Sequence, residues 1–357
     1  MIELTGLATS LNEHGQVVVR TDGDRRAYIR NLDGSRIDLV PPAGVTSYVP
    51  ADMNDRGDVV ARTLVPEDRA ILFSGGSARD LGIDRAYDFT INNRGDIAGT
   101  REFGSIMFLY RDGVMRDLGT GEEVGVRLND NGDILIPRLV DKEPRAVLIK
   151  VDGSTELVPE MGLLNTAGQV VFSRRVGSSF SFRGFLFEDG TTVDLGLLPG
   201  TDSTAPTAMN NRGDVVGHAA TRAFFWRDGT MQEIPGGGGD IFALPQDVNE
   251  HARVVGKRGD RAFVWEPGST SIELPLPAEF DATRFVDAFL INDAGVILGS
   301  SAADGDFNVD QRGLLWVPDR CGVTPDAGPP DDTGGDAGPT EPPSEGGPMV
   351  PPEEPTE

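Results

Sequence analysis

Apolar and polar positions along this chain fall into a pattern that recurs eight times. Each copy begins with an apolar residue, an asparagine and a short polar turn, then runs into β-branched residues: LNEHGQVVV, MNDRGDVVA, INNRGDIAG, LNDNGDILI, LNTAGQVVF, MNNRGDVVG, VNEHARVVG and INDAGVILG. The asparagines are Asn12, Asn54, Asn92, Asn129, Asn165, Asn210, Asn249 and Asn292, separated by 42, 38, 37, 36, 45, 39 and 43 residues. That interval is the period of a propeller blade rather than of a short solenoid rung. An asparagine that bonds nearby backbone, followed by a glycine free to take positive φ, predicts a tight reversal between two strands. The eight asparagines are therefore structural turn residues.

A compact apolar segment follows each turn: RAYI, RAILF, IMFLY, RAVLI, RGFLF, RAFFW, RAFVW and RGLLW. Apolar residues at adjacent positions predict a strand covered on both faces, as blades stacked face to face require. A further turn leads to RIDL, RDLG, RDLG, TELV, VDLG, QEIP and IELP in units one to seven. The strands before Asn, after the turn, at the aromatic segment and at the Asp-Leu element make four per unit, and residues 1–320 divide into eight units of 40. The expected fold is all-β: an eight-bladed β-propeller of four-stranded blades. Unit eight has no Asp-Leu strand after Trp316, whereas Ile2-Glu3-Leu4 stands unassigned before the first turn and matches Ile272-Glu273-Leu274. Residues 2–4 are thus expected to pair beside Leu314–Trp316 and close the ring, removing an open sheet edge.

Composition changes the picture at one end. Residues 321–357 hold ten prolines, nine acidic residues and no lysine or arginine. Such a segment has too little apolar surface to offset its ordering entropy, so it is expected to be a disordered acidic tail or linker beside a 1–320 propeller. The chain carries a net charge of −25, of which −16 lies on residues 1–320. An acidic surface repels nucleic acid, and no apolar run is long enough for membrane insertion. The single Cys321 leaves neither an intrachain disulfide nor a thiolate zinc site. No secretory leader is visible at the N-terminus.

The unit made of DLGLLPGTDSTAPTAMNNRGDVVG (Asp194 to Gly217) and RAFFWRDG (Arg222 to Gly229) resembles the HAF-repeat family of bacterial proteins, and the likeness spans about residues 2–317. That family pairs an IN-x-x-G-x-VVG phrase with a His-Ala-Phe-Leu-Trp strand and a DLG turn. Arg222 stands where its naming histidine would be, and the histidine is absent from every unit, so no role attached to it carries over. The resemblance implies a β-propeller that is extracellular or at the cell surface, and implies no known chemistry.

Candidate chemistry is sparse. Arg-Gly-Asp occurs at 56–58, 94–96, 212–214 and 258–260, and three of these fill the Asn turn, where they read as solvated turn residues rather than adhesion motifs. Asp304, Asp306, Asn308 and Asp310 offer the hard oxygen ligands of a weak calcium candidate, without EF-hand spacing. His14 and His251 share one turn position, His218 follows a hairpin, and Gly236–Gly239 reads as an interblade loop. No common hydrolase, metalloprotease or phosphate-binding motif is present. The expected function is that of a non-enzymatic binding or surface-display module, a monomer without an obligatory cofactor, whose propeller-face loops contact a glycan, peptide or other extracellular ligand. The alternative is an enzyme, a hydrolase or lyase, with a polar active site at the mouth of the central channel, which clustered acidic and basic groups with shifted pKa values would favour.

Overall fold

A computed structural model describes residues 1–21, 26–65, 67–102, 104–120, 125–177, 181–236, 241–277, 280, 284–302 and 311–318. These form eight four-stranded antiparallel sheets arranged in a ring, a β-propeller. Blade 1 shows the common plan: an inner strand Leu7–Leu11, a second Val17–Arg20, a third Ala27–Arg30 and an outer strand Arg36–Asp38. The chain divides into a unit Met1–Thr324 and a unit Pro325–Glu357. The second unit, and with it the expected disordered tail and Cys321, lies outside the described residues.

Each part of the repeat phrase becomes the strand it predicts. The Asn turn joins inner to second strand, and the apolar segment becomes the third strand, buried on both faces in blades such as those of Arg222–Arg227 and Arg312–Trp316, whereas in Glu143–Ile149 burial alternates. Asp112-Gly113, Asp189-Gly190 and Asp228-Gly229 have positive φ at both residues, the backbone of a two-residue hairpin that matches strand twist. Glycine in the VVG phrase has a different reason. A Cβ at Gly217, Gly256 or Gly299 would lie within 2.2 Å of a carbonyl oxygen on the inner strand, just where that strand bulges.

The core is circular. Eight apolar clusters each straddle one seam between neighbouring blades, as where Phe225 and Ile234 of blade 6 meet Val254 and Trp265 of blade 7. Repeat length sets strand length: the two shortest Asn-to-Asn intervals precede Asn129 and Asn165, and their inner strands shrink to Arg127–Leu128 and Leu163–Leu164.

Ring closure follows the expected scheme. Ile2–Leu4 pairs antiparallel with the third strand of blade 8, Ile2 opposite Leu315, Glu3 opposite Leu314 and Leu4 opposite Gly313. Leu4 is buried in the seam with Leu315, Leu298, Val17 and Tyr28. A recurring ion pair marks this strand as the eighth outer strand. An Arg at the start of the third strand pairs with an acidic residue on the outer strand in Arg69–Asp80, Arg183–Asp194, Arg222–Glu233 and Arg261–Glu273, and Arg312–Glu3 repeats it across the two ends of the propeller at 2.8 Å. All five are the first residue of the apolar third-strand phrase, in RAILF, RGFLF, RAFFW, RAFVW and RGLLW, so this Arg serves the rim.

Candidate functional site

The Asn turns gather around the axis on one face, and their side chains do more than cap their own turns. In all eight, Asn Oδ1 accepts the N–H of the residue four positions on, from Gln16 to Val296. In all eight, Asn Nδ2 donates to the carbonyl of the next blade's asparagine: Asn12 to Asn54, then onward around the ring to Asn292, which donates to Asn12, at 2.9–3.2 Å. The amides are buried and satisfied on both sides, as buried polar groups must be. The sequence foretold the capping half of this role. The cross-seam half joins residues 36–45 apart, or 280 apart at closure, and no local pattern encodes it.

The residue after each Asn builds a second ring. Backbone N–H groups of Glu13, Asp55, Asn93, Thr166, Asn211, Glu250 and Asp293 donate to the side chain of the corresponding residue in the next blade, at 2.7–2.9 Å. The remaining seam lies between Asp130 and Thr166, where Asn131 Nδ2 instead donates to the Thr166 carbonyl. These bonds fix Glu13, Asp55, Asp130, Glu250 and Asp293 around the mouth of a cavity of about 400 Å³. Asp52 and Asp247, each two residues before an Asn, complete seven carboxylates in its lining, which contains no lysine, arginine or histidine.

Three of these carboxyls are held above their ordinary range. Desolvation raises Glu13, although a bond from Asp293 N–H opposes it, and the charges of Asp293, Asp55 and Glu250 add to the rise. Desolvation likewise raises Asp52, against bonds from Thr90 Oγ1 and the N–H groups of Ile91 and Met53. Asp247, accepting from Val248 N–H and Ile291 N–H at 2.9 Å, is pushed by burial up to about 6. Asp52 and Asp247 both reach across a seam to the backbone of the next inner strand. A group with a shifted pKa in a cleft is a mark of function as well as of structure.

The other candidates do not converge here. Asp58, Asp96 and Asp214 of the three turn Arg-Gly-Asp motifs are buried and paired with Arg56, Arg94 and Arg212 of the same turns. Burial pushes Asp214 upward, yet bonds from Arg227 and Asn210 hold it below the usual carboxylate range. In the fourth motif Arg258 turns back to the Pro235 carbonyl and Ser271 and lies over the Phe263 ring. An adhesion motif needs its Arg and Asp displayed together, and none of the four has that geometry. His14 and His251 are exposed turn residues of separate blades, and His218 sits in the second strand of blade 6 against the Phe242 ring. Asp304, Asp306, Asn308 and Asp310 lie outside the described residues, as do Gly237–Gly239 of the expected interblade loop. Among the described residues no group of three or more His, Cys, Asp or Glu side chains is drawn together tightly enough to hold a metal ion. The seven carboxylates are instead spread around an annulus.

No protein-family model matches the chain, and no curated relative does. Its fold is similar to that of several solved structures. The β-propeller domain of the Trilobed protease from Pyrococcus furiosus, of open velcro topology, shares 10% identity over 75% of this chain and 95% of that one, with a TM-score of 0.50. Virginiamycin B lyase from Staphylococcus aureus shares 14% over 88% and 98%, with a TM-score of 0.43. A puromycin-hydrolysing peptidase from Mycobacterium tuberculosis shares 14% over 79% of this chain and 49% of that one, with a TM-score of 0.45. At such identities the likeness is one of fold alone, and a fold hosts many functions.

Proposed function

We propose that this chain is a non-enzymatic binding module, displayed outside the cell as its HAF-like repeats imply, that takes cationic groups of a peptide or similar ligand at the mouth of its channel. The observation that carries the reading is the lining itself: seven carboxylates from several blades and no basic side chain. Carboxylates crowded in a partly desolvated cleft repel one another, and a ligand cation relieves that repulsion. Their spread around an annulus suits an organic cation, an ammonium or guanidinium, better than a metal ion that needs ligands at one point. Low-dielectric walls also focus the field and favour capture of such ligands from solution.

An enzymatic reading, hydrolase or lyase, would make Asp247 a general acid, because its pKa of about 6 keeps part of it protonated near neutral pH. Binding is preferred on two grounds. Both Asp247 oxygens already accept backbone N–H groups, and the lining offers no basic partner to complete an acid–base pair.

Isothermal titration with trilysine and with its fully acetylated form tests the proposal. Trilysine is expected to bind, more weakly as sodium chloride rises from 20 to 200 mM, and about tenfold more weakly to Glu250→Gln/Asp293→Asn. Equal binding of the acetylated peptide, or undiminished binding by the double variant, would sink it.

A further inference from the structure

The seam between blades 1 and 2 holds a pocket of about 160 Å³ on the same face as the channel mouth. Its floor is apolar, from Ile29, Leu39 and Phe73, and its wall towards the axis is Gln16 and Arg56. Small residues open it. The third strand of blade 3 ends in Arg111 and that of blade 6 in Arg227, whereas that of blade 2 ends in Ser74 and turns through Gly75-Gly76. A Cβ on either glycine would meet nothing within 4 Å. At the next seam Arg79 lies over the Tyr110 ring, but the residues at the equivalent positions here are Ile37 and Phe73. Ile37 and Val40, 45% and 72% exposed, flank the opening.

Pocket and mouth are parts of the same two turns. Glu13 and Gln16 belong to the turn at Asn12, Asp55 and Arg56 to that at Asn54, so carboxylates face the axis and the pocket begins one or three residues further along. We infer that the seam pocket seats one aliphatic side chain of a peptide whose ammonium or guanidinium group lies at the channel mouth. This rests on the cation-binding reading and adds a ligand class to it: a basic residue followed at short spacing by an aliphatic one. The pocket has room for one leucine-sized side chain, and the acidic mouth supplies the charge complementarity that orients the peptide.

The probes are fluorescein-labelled, end-blocked peptides Lys-(Gly)n-Leu and Lys-(Gly)n-Ser with n from zero to three, read by fluorescence polarisation. For at least one n the leucine peptide is expected to bind about fivefold tighter than its serine counterpart, in keeping with partial burial of one side chain. That ratio falls to one in Val40→Asp and in Ser77→Trp, which charge and fill the pocket. It persists in Leu157→Asp, a change at another exposed apolar residue, on blade 4. A ratio of one at every n, or a ratio that survives both pocket variants, overturns the pocket assignment while leaving the cation site standing. Peptides with Gln in place of Lys that bind equally well would overturn the cation site itself.

Discussion

The axis and the rim of this propeller are built from the same eight units, yet they obey different rules. Near the axis every unit repeats one arrangement: a buried asparagine, a bond back to its own turn and a bond forward to the next blade. At the rim, outer strands run from two to eight residues, and their Arg–acid pairs are partly exposed and differ from blade to blade. Geometry accounts for the contrast. Strands converge at the axis, so one misplaced amide there disturbs two blades, whereas at the rim water screens each pair and tolerates variety.

The largest expected effect comes from the rim strand that carries core as well as charge. Deleting Met1–Gly6 removes Leu4 from the eighth seam and leaves an open edge on blade 8. The expected cost is about 4 kcal/mol, from the buried Leu4 and the partly buried Met1 and Ile2. Thermal melting with light scattering should show a lower midpoint and aggregation. A deletion variant that melts like the full chain would mean that the ring does not depend on this closure.

Next comes Asn292→Ala, which strands the Val296 N–H and leaves the Asn12 carbonyl with only its bond from Gly15 N–H, and is expected to cost about 2 kcal/mol in urea denaturation. If the annulus is uniform, Asn54→Ala and Asn129→Ala cost the same within about 0.5 kcal/mol. A large spread would show that the ring has weak links.

Asp247→Asn probes the tension built into the axis. The native carboxyl, with a pKa of about 6 against 3.8 unperturbed, holds its proton to higher pH than the unfolded chain does. Its burial therefore costs nothing extra below pH 4, and stability falls as pH rises from about 4 to 6, by up to about 3 kcal/mol. The variant should lose that slope. Its net change at pH 7 is expected to stay within about 1 kcal/mol, because the amide cannot accept both backbone N–H groups as the carboxylate does. Denaturation at pH 4.5 and 7.5 measures it, and an unchanged slope would remove Asp247 from the titrating set.

The smallest effect belongs to the exposed rim. Glu233→Gln, which breaks the pair with Arg222, is expected to cost about 0.5 kcal/mol or less and less still in high salt. A cost rivalling that of Asn292→Ala would erase the distinction between axis and rim. Chelation is expected to leave the melting temperature unchanged, since each Asn turn is satisfied by its own amide. A loss of several degrees in EDTA, restored by calcium, would instead give the Asp304–Asp310 segment a structural role.

Much of this architecture was legible in the chain because its signals are local. Asn, a permissive turn and a β-branched run specify a hairpin within ten residues, and repetition turns one hairpin into a blade count. The closing strand was legible too, because Ile2-Glu3-Leu4 supplies the one element missing from the last unit. The acidic mouth was not. Glu13, Asp55, Asp130, Glu250 and Asp293 occupy ordinary turn positions, and nothing in any one turn shows that closing the ring brings them together. The same holds for Asp247, whose elevated pKa comes from desolvation between two blades, and for the seam pocket, which exists because Ser74-Gly75-Gly76 happens to face blade 1. Sequence by itself determined the units, their number and how they close, since those follow from backbone preferences within each repeat. Only the tertiary structure decided which side chains share the axis, because proximity across seams depends on bending the chain into a circle.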